Sequence, residues 1–265
     1  MRQATFDKLA RVVYETSGIS LSPSKRALLE ARTAKRMRAL GVSDHEAYLE
    51  ILEMHDRHEL AQFIDAVSTN VTGFFREPSH FDIVRQIVGQ TLAEGRHRLR
   101  LWSAACASGE EPYSLAMAVL ESSLGCQLDA RILATDICTE ALDRARRGVY
   151  TADRIEAIPA GLRRHAERIG RRQERLYRMR EPVRDMVAFR RINLSTPPFP
   201  ISGPLDVVFC RNVMIYFDQR VRSALLAEIH RVLRPGGWLF VGHAESLTAR
   251  SDLFSLVQPS VFRRR

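Results

Sequence analysis

Apolar positions in the first 75 or so residues recur every three or four places, the spacing that lines one face of an α-helix. Phe6 to Tyr14 makes one such pattern. Ser24 to Leu40 makes another, closed by Gly41 where a left-handed residue ends a helix. Ser43 and Glu46 have the spacing of a capping box for a third helix running to about Met54, and a fourth runs from about His58 to Val67. Pro78 and Ser79 then introduce a longer helix with Phe81, Val84, Ile87, Val88 and Leu92 at helical intervals.

From Leu99 the rhythm changes to strand, helix, strand. Leu99–Trp102 is a short β-like run that enters the small-residue turn Ser103–Gly109, and Glu110-Glu111-Pro112 opens a helix through Leu115, Ala116, Val119 and Leu120. Ile132–Thr135 is a strand ending at Asp136, followed by a helix over Thr139–Arg147. Val187–Ile192 and Leu205–Cys210 read as further strands. Asp218 can cap a helix carrying Val221, Leu225, Ile229, Val232 and Leu233, which Arg234-Pro235-Gly236-Gly237 stops before a buried strand, Trp238–Val241. Phe254–Val257 and Val261–Arg263 predict two strands around Gln258-Pro259-Ser260. This is a doubly wound α/β domain behind an all-helical one. The expected division is a helical domain over 1–75, a linker helix over 76–98 and an α/β domain over 99–265.

The stretch from Tyr150 to Arg191 is too long for a simple crossover and holds twelve arginines from Arg154 onward. It reads as an inserted subdomain over 151–191, a helix followed by a small antiparallel sheet around Arg175–Arg180; a solvated arginine-rich crossover is the alternative.

Composition narrows the class only a little. At 265 residues the chain has room for two domains, and 45% hydrophobic with 27% charged residues is ordinary for a globular protein. The opening residues lack a signal-peptide pattern, and no apolar run approaches the roughly 20 residues that span a bilayer. Cys106, Cys126, Cys138 and Cys210 lack metal-ligand spacing and read as reduced thiols of a cytoplasmic protein. The net charge of +9 is almost entirely arginine and favours an anionic partner, whether nucleic acid, membrane or acidic protein.

Candidate chemistry gathers at the carboxyl ends of the predicted strands, where doubly wound sheets bind ligands. A helix N-terminus usually receives phosphate, yet here it carries Glu110 and Glu111. Two carboxylates there compete with phosphate and welcome an ammonium or sulfonium; alternatively they only complement the helix dipole. Asp136 can accept from both hydroxyls of a ribose or merely cap a helix, and Arg211-Asn212 lies just past the strand Leu205–Cys210. The lone Gly109, without G-x-G-x-x-G or a Walker lysine, disfavours a dinucleotide dehydrogenase or a P-loop enzyme.

With these residues in view the chain resembles the chemotaxis receptor-glutamate O-methyltransferases, the CheR family, over nearly its whole length. Ser68-Thr69-Asn70-Val71-Thr72-Gly73-Phe74-Phe75-Arg76-Glu77 is similar to the family's T-x-N-x-T-x-F-F-R-E signature, and Ser103 to Ser114 to its cofactor turn. Ala134–Ile137, Phe209–Phe217 and Gly242–Ser246 match three further blocks in the same order. Departures are small: Ala107-Ser108 stands where Ser-Thr is usual, and Ala244 where Ser is usual. The resemblance implies a Rossmann-like S-adenosylmethionine (AdoMet) methyltransferase domain. It implies cofactor contacts at Asn70, Thr72, Arg76, Glu111, Asp136, Asn193, Leu194, Arg211 and Asn212, with Arg76 and Tyr216 orienting the substrate carboxylate.

Each role has a bland counterpart. Asn70 and Thr72 suit turns, Arg76 could simply pair with Glu77 or an aspartate, and Tyr216 could pack beside the sheet. Phe74 and Phe75 read as interdomain core, and His243 as structural. The expected substrate is a set of glutamates on the cytoplasmic helices of a transmembrane chemoreceptor, approached by the basic segment Lys25–Arg38, with the enzyme recruited to membrane receptor arrays but not inserted. The stretch Ile169–Arg175 lacks the extra glycine-rich loop of peptide-capturing members, so receptor binding independent of a C-terminal tether is expected. A nucleic-acid methyltransferase would need an aromatic slot for a base, and Asn212-Val213-Met214-Ile215 lacks the proline and second aromatic for it. A non-catalytic AdoMet sensor is the other rival.

Overall fold

The computed structural model spans residues 1–265 and describes all of them except His55, Arg172, Gln173, Ser246 and residues 248–251. Helices α1 (Gln3–Ser17), α2 (Arg26–Leu40), α3 (His45–Glu53) and α4 (Arg57–Val67) form an N-terminal bundle. Their apolar faces close on Phe6, Leu9, Val13, Leu29, Tyr48, Phe63 and Ile64. The cap of α3 differs from the expected Ser43–Glu46 box. Asp44 accepts from the Ala47 N–H at 2.9 Å, while Glu46 accepts from the Thr5 hydroxyl at 2.8 Å and is drawn to α1. A carboxylate one residue nearer the helix outcompetes the serine.

Helix α5 (Ser79–Ala93) lies on the second unit, a seven-stranded sheet in the order β6-β2-β1-β7-β8-β10-β9. The strands are β1 (Arg98–Ser103), β2 (Asp129–Asp136), β6 (Val187–Arg191), β7 (Leu205–Phe209), β8 (Leu233–Phe240), β9 (Phe254–Gln258) and β10 (Val261–Arg264). Pairing is parallel from β6 to β8, and β10 runs antiparallel to both its neighbours. Helices α6 (Glu110–Ser122), α7 (Thr139–Arg147) and α10 (Gln219–Val232) cover the sheet. A separate antiparallel sheet in the order β3-β5-β4 uses β3 (Val149–Thr151), β4 (Ala166–Ile169) and β5 (Leu176–Met179), with short helices α8 (Ala152–Glu156) and α9 (Glu181–Arg184). Most of the arginine-rich segment therefore folds as a small β subdomain, but the expected bounds of 151–191 shift: its sheet begins at Val149, and Val187–Arg191 joins the main sheet as β6.

Two expectations are corrected here. Arg234–Gly237 does not separate helix from strand, because α10 ends at Val232 and β8 begins at Leu233. The pairing with β7 shifts between Leu205 and Val207, a bulge that accommodates Pro235 within the strand. Phe74 and Phe75 are buried, but in the core of the α/β unit, 4.9 Å from Tyr150 and Phe81 respectively, not between the domains.

The two units meet through directed polar contacts. Asp65 of α4 accepts from the backbone N–H groups of Thr139 and Glu140, capping α7 from the other domain. Tyr14 of α1 donates to Asp218 at 2.6 Å, and the Ser20 N–H donates to the Tyr216 carbonyl at 2.8 Å beside the antiparallel bridge Ile19–Phe217. Among the described residues no helix is long and apolar enough to cross a membrane.

Candidate active site

The strand order reverses between β1 and β7, and at their carboxyl ends lies a cleft of about 770 Å³. The α/β unit supplies its floor, residues 68–73 and Arg76 one side, and Ser17–Ser22, Lys25, Leu28 and Arg32 of the helical unit its cover. All nine candidate cofactor residues, together with Tyr216, line this one cleft.

Gly109 makes the entry turn possible. Its φ of 97° is left-handed, and a Cβ there would sit 2.9 Å from both Ala145 Cβ and the Tyr150 hydroxyl. The two glutamates that follow diverge. Glu110 is buried away from the cleft, accepting from the Ser108 hydroxyl at 2.7 Å, whereas Glu111 faces it. Glu111 accepts from the Ser103 hydroxyl at 2.7 Å and lies 3.5 Å from Arg211 Nη1. Burial nevertheless pushes its carboxyl above the usual range, with Arg211 opposing the shift. A cation on the cleft side would relieve that cost, so the site fits an ammonium-bearing ligand.

Arg211 itself is 4% exposed. It lies 3.1 Å from Glu77 Oε2, donates to the Arg76 carbonyl, and stands over Phe81 and Phe209 at 5.8 and 5.4 Å. Glu77 thus pairs with Arg211, not with its neighbour Arg76, whose guanidinium is exposed at the cleft and donates to the Val71 carbonyl at 3.2 Å. The chain at this junction is strained: Phe75 and Glu77 adopt φ values of 52° and 57°.

Asp136 does the bland job and remains available for another. Its oxygens accept from the Ala107 and Cys138 N–H groups at 2.8 and 2.9 Å, fixing the cofactor-type turn, where Ala107 is left-handed at φ 45°. Burial raises its carboxyl and those two donors pull it back. Asn70 donates to Cys138 Sγ at 3.1 Å, and the Thr72 carbonyl accepts from Arg154 at 2.7 Å. Asn193 donates to the Thr16 carbonyl at 2.8 Å, tying the end of β6 to α1, and Leu194 is buried beside it.

The loop after β7 carries Arg211, Asn212 and Tyr216, and sequence reasoning missed what holds it. The carboxylate of Glu245 accepts four backbone N–H groups, from Asn212 (2.8 Å), Val213 (3.0 Å), Met214 (2.7 Å) and Gly242 (2.6 Å). A Cβ at Gly242 would stand 2.4 Å from Asn212 Nδ2 and 2.9 Å from Glu245 Oε2, so a larger residue would displace the Asn212 side chain and crowd that carboxylate. Residues 242–246 were legible as a family block, but a carboxylate serving only backbone leaves no side-chain pattern to read; Ser246 lies outside the described residues. Tyr216 is half-buried, its ring packed against the second core cluster and its backbone held by Ser20.

Comparison with known proteins agrees with this geometry. Residues 70–262 match the model of the CheR methyltransferase SAM-binding domain, and residues 4–68 that of the CheR all-alpha domain. "Chemotaxis protein methyltransferase 2" of Pseudomonas aeruginosa is 39% identical over 97% of this chain and 91% of its own length. The "Chemotaxis protein methyltransferase" of Borreliella burgdorferi is 34% identical (97% and 93% covered), and that of Escherichia coli 35% (99% and 91%). With a cleft built around a cation-seeking carboxylate and both domain models matched in order, the chain belongs to the CheR methyltransferase family, an S-adenosylmethionine-binding one.

Proposed function

We propose that this chain methylates glutamate side chains on the cytoplasmic helices of transmembrane chemoreceptors, forming glutamyl methyl esters. The observation that carries the reading is Glu111: a carboxylate, partly buried and facing the cleft, stands at the helix start where phosphate-binding folds offer bare N–H groups. The relatives' names supply the chemoreceptor context.

Bound AdoMet supplies an electrophilic methyl group on a sulfonium. Glu111 is assigned the ammonium of its methionine moiety and Asp136 its ribose. Asn70, Thr72, Arg76, Asn193, Leu194, Arg211 and Asn212 form the remaining contacts. A substrate glutamate, with a pKa of about 4.3, is already ionised at neutral pH, so no general base is required. What the reaction needs is an in-line approach and an orienting partner that leaves the attacking oxygen free. Arg76, exposed at the cleft, and Tyr216, which lines the same cleft, are assigned that task.

The proposed division of labour follows the division of the chain. Residues 1–75 present a basic face, cover the cleft and add Asn70 and Thr72, 76–98 join and add Arg76, and 99–265 supply the remaining cofactor contacts. Not every basic residue of Lys25–Arg38 is free for a partner. Arg32 donates to the Val67 and Ser68 carbonyls, and Arg36 grips the buried Glu59, leaving Lys25, Lys35 and Arg38 exposed to meet acidic receptor helices. Esterification removes one negative charge from those helices. The enzyme is proposed to be cytoplasmic, recruited to receptor arrays and independent of a receptor tail peptide. Arg172 and Gln173 of the segment behind the tether expectation lie outside the described residues.

Labelled methyl transfer tests the reading. Alkali-labile label on receptor-rich membranes is expected. Alkali-stable label, or label on RNA or DNA in its place, overturns it. Tight calorimetric binding of a free receptor-tail peptide would overturn tether independence alone.

A further inference from the structure

Behind the cleft, against Arg211, three ligand-type side chains converge from two segments of the chain. Glu77 Oε2 lies 3.5 Å from His80 Nδ1 and 3.8 Å from His243 Nε2, and one ligand atom from each residue falls within 4.8 Å of the others. His80 is 1% exposed, and neither ring nitrogen makes a hydrogen bond. Glu77 Oε2 and Arg211 Nε make none either, so four of the five such buried atoms among the described residues occupy this spot. Buried polar atoms are normally satisfied, and an unsatisfied ligand-type group calls for an explanation, a bound water or ion being one.

We propose that Glu77, His80 and His243 bind a divalent transition-metal ion of the zinc or cobalt class, in a site separate from the cofactor cleft. Two imidazoles and one carboxylate are a recurrent zinc donor set that leaves one position open. Ligand atoms about 2.1 Å from a tetrahedral ion lie about 3.4 Å from each other. The observed Glu77 separations of 3.5 and 3.8 Å are close to that spacing, and the two histidine nitrogens, within 4.8 Å of each other, close the rest of the gap by rotation of the exposed His243 ring. His243, with 60% of its side chain exposed, gives the ion a path from solvent.

Arg211 is the competitor for Glu77 Oε2, at 3.1 Å. When the ion takes that oxygen, the guanidinium keeps Glu111 and the Arg76 carbonyl. AdoMet is itself a cation, so a divalent ion across Arg211 opposes its binding. This second half rests on cofactor binding in the cleft; the first half does not.

Chelator-treated full-length protein titrated with CoCl2 tests the site by visible absorption. One equivalent of Co2+ is expected to give the intense bands of a four- or five-coordinate ion, displaced by Zn2+. Affinity should weaken roughly tenfold or more in His243→Ala and in His80→Asn. His243 is a surface side chain, so its variant remains informative if His80→Asn misfolds. Absent bands, or bands unchanged in His243→Ala, overturn the site. Calorimetric AdoMet affinity is expected to fall roughly fivefold or more with Zn2+ in the wild type and not in His243→Ala. Unchanged or tighter binding overturns the antagonism.

Discussion

Glu245 Oε2 accepts the backbone N–H of Asn212 at 2.8 Å and holds that residue in a left-handed conformation at φ 58°. Its other bonds reach the two following residues and Gly242, so one side chain sets the whole loop from Arg211 to Tyr216. Glu245→Ala strands several buried donors at once and should cost about 3 kcal/mol of stability, read by urea unfolding. Calorimetry should show weakened AdoMet binding in the same variant. Native stability and affinity would show that the loop holds itself.

Glu111→Gln keeps the shape of the side chain and removes its charge. If Glu111 meets the ammonium of the cofactor, affinity for AdoMet should fall roughly 10- to 100-fold by calorimetry. Glu110→Gln, on a carboxylate outside the cleft, should leave affinity near wild type.

Tyr216 is assigned to the substrate, not the cofactor. Tyr216→Phe retains the ring packed on the second core cluster and deletes the hydroxyl. Its kcat should drop roughly 10- to 100-fold with AdoMet affinity unchanged. A loss confined to AdoMet affinity would contradict the assignment.

The hydrogen bond from Tyr14 holds the Asp218 carboxyl below its ordinary range, helped by the Val221 N–H. A carboxyl depressed on folding stabilises the folded state above its ordinary pKa, and that contribution disappears as pH falls through the depressed value. Wild-type Tm should therefore decline on acidification below about pH 4 partly through this residue. Asp218→Asn should lower Tm at pH 7 and narrow its gap to wild type in acid. A constant gap would exclude this linkage.

Lys35→Glu and Arg38→Glu reverse charge on exposed positions of α2 without touching the internal pairs of Arg32 and Arg36. The KM for receptor should rise, more at low salt than at high, with AdoMet affinity unaltered. Equal KM values at all ionic strengths would move the receptor surface elsewhere.

Much of this was legible before the fold was known, because period and punctuation are local. The helices of the first unit, the strand ending at Asp136 and the antiparallel tail all follow from spacing, and the family blocks hold every cleft residue assigned above except Asn193 and Leu194. What stayed hidden depends on contacts across the chain. Asp65 caps a helix in the other domain, Glu77 prefers distant Arg211 to adjacent Arg76, and Glu245 serves amides more than thirty positions away. Pro235 reads as a break until its partner strand shows the bulge. Fixed spacing cannot record such pairings.

The bridge between Ile19 and Phe217 joins a segment near the amino terminus to the wall that carries Tyr216. Splitting the gene at the join of its two modules would therefore yield a catalytic half missing part of its own pocket. Restoring that wall would take the covalent linkage or a helical fragment supplied in trans, so the two modules are best engineered together.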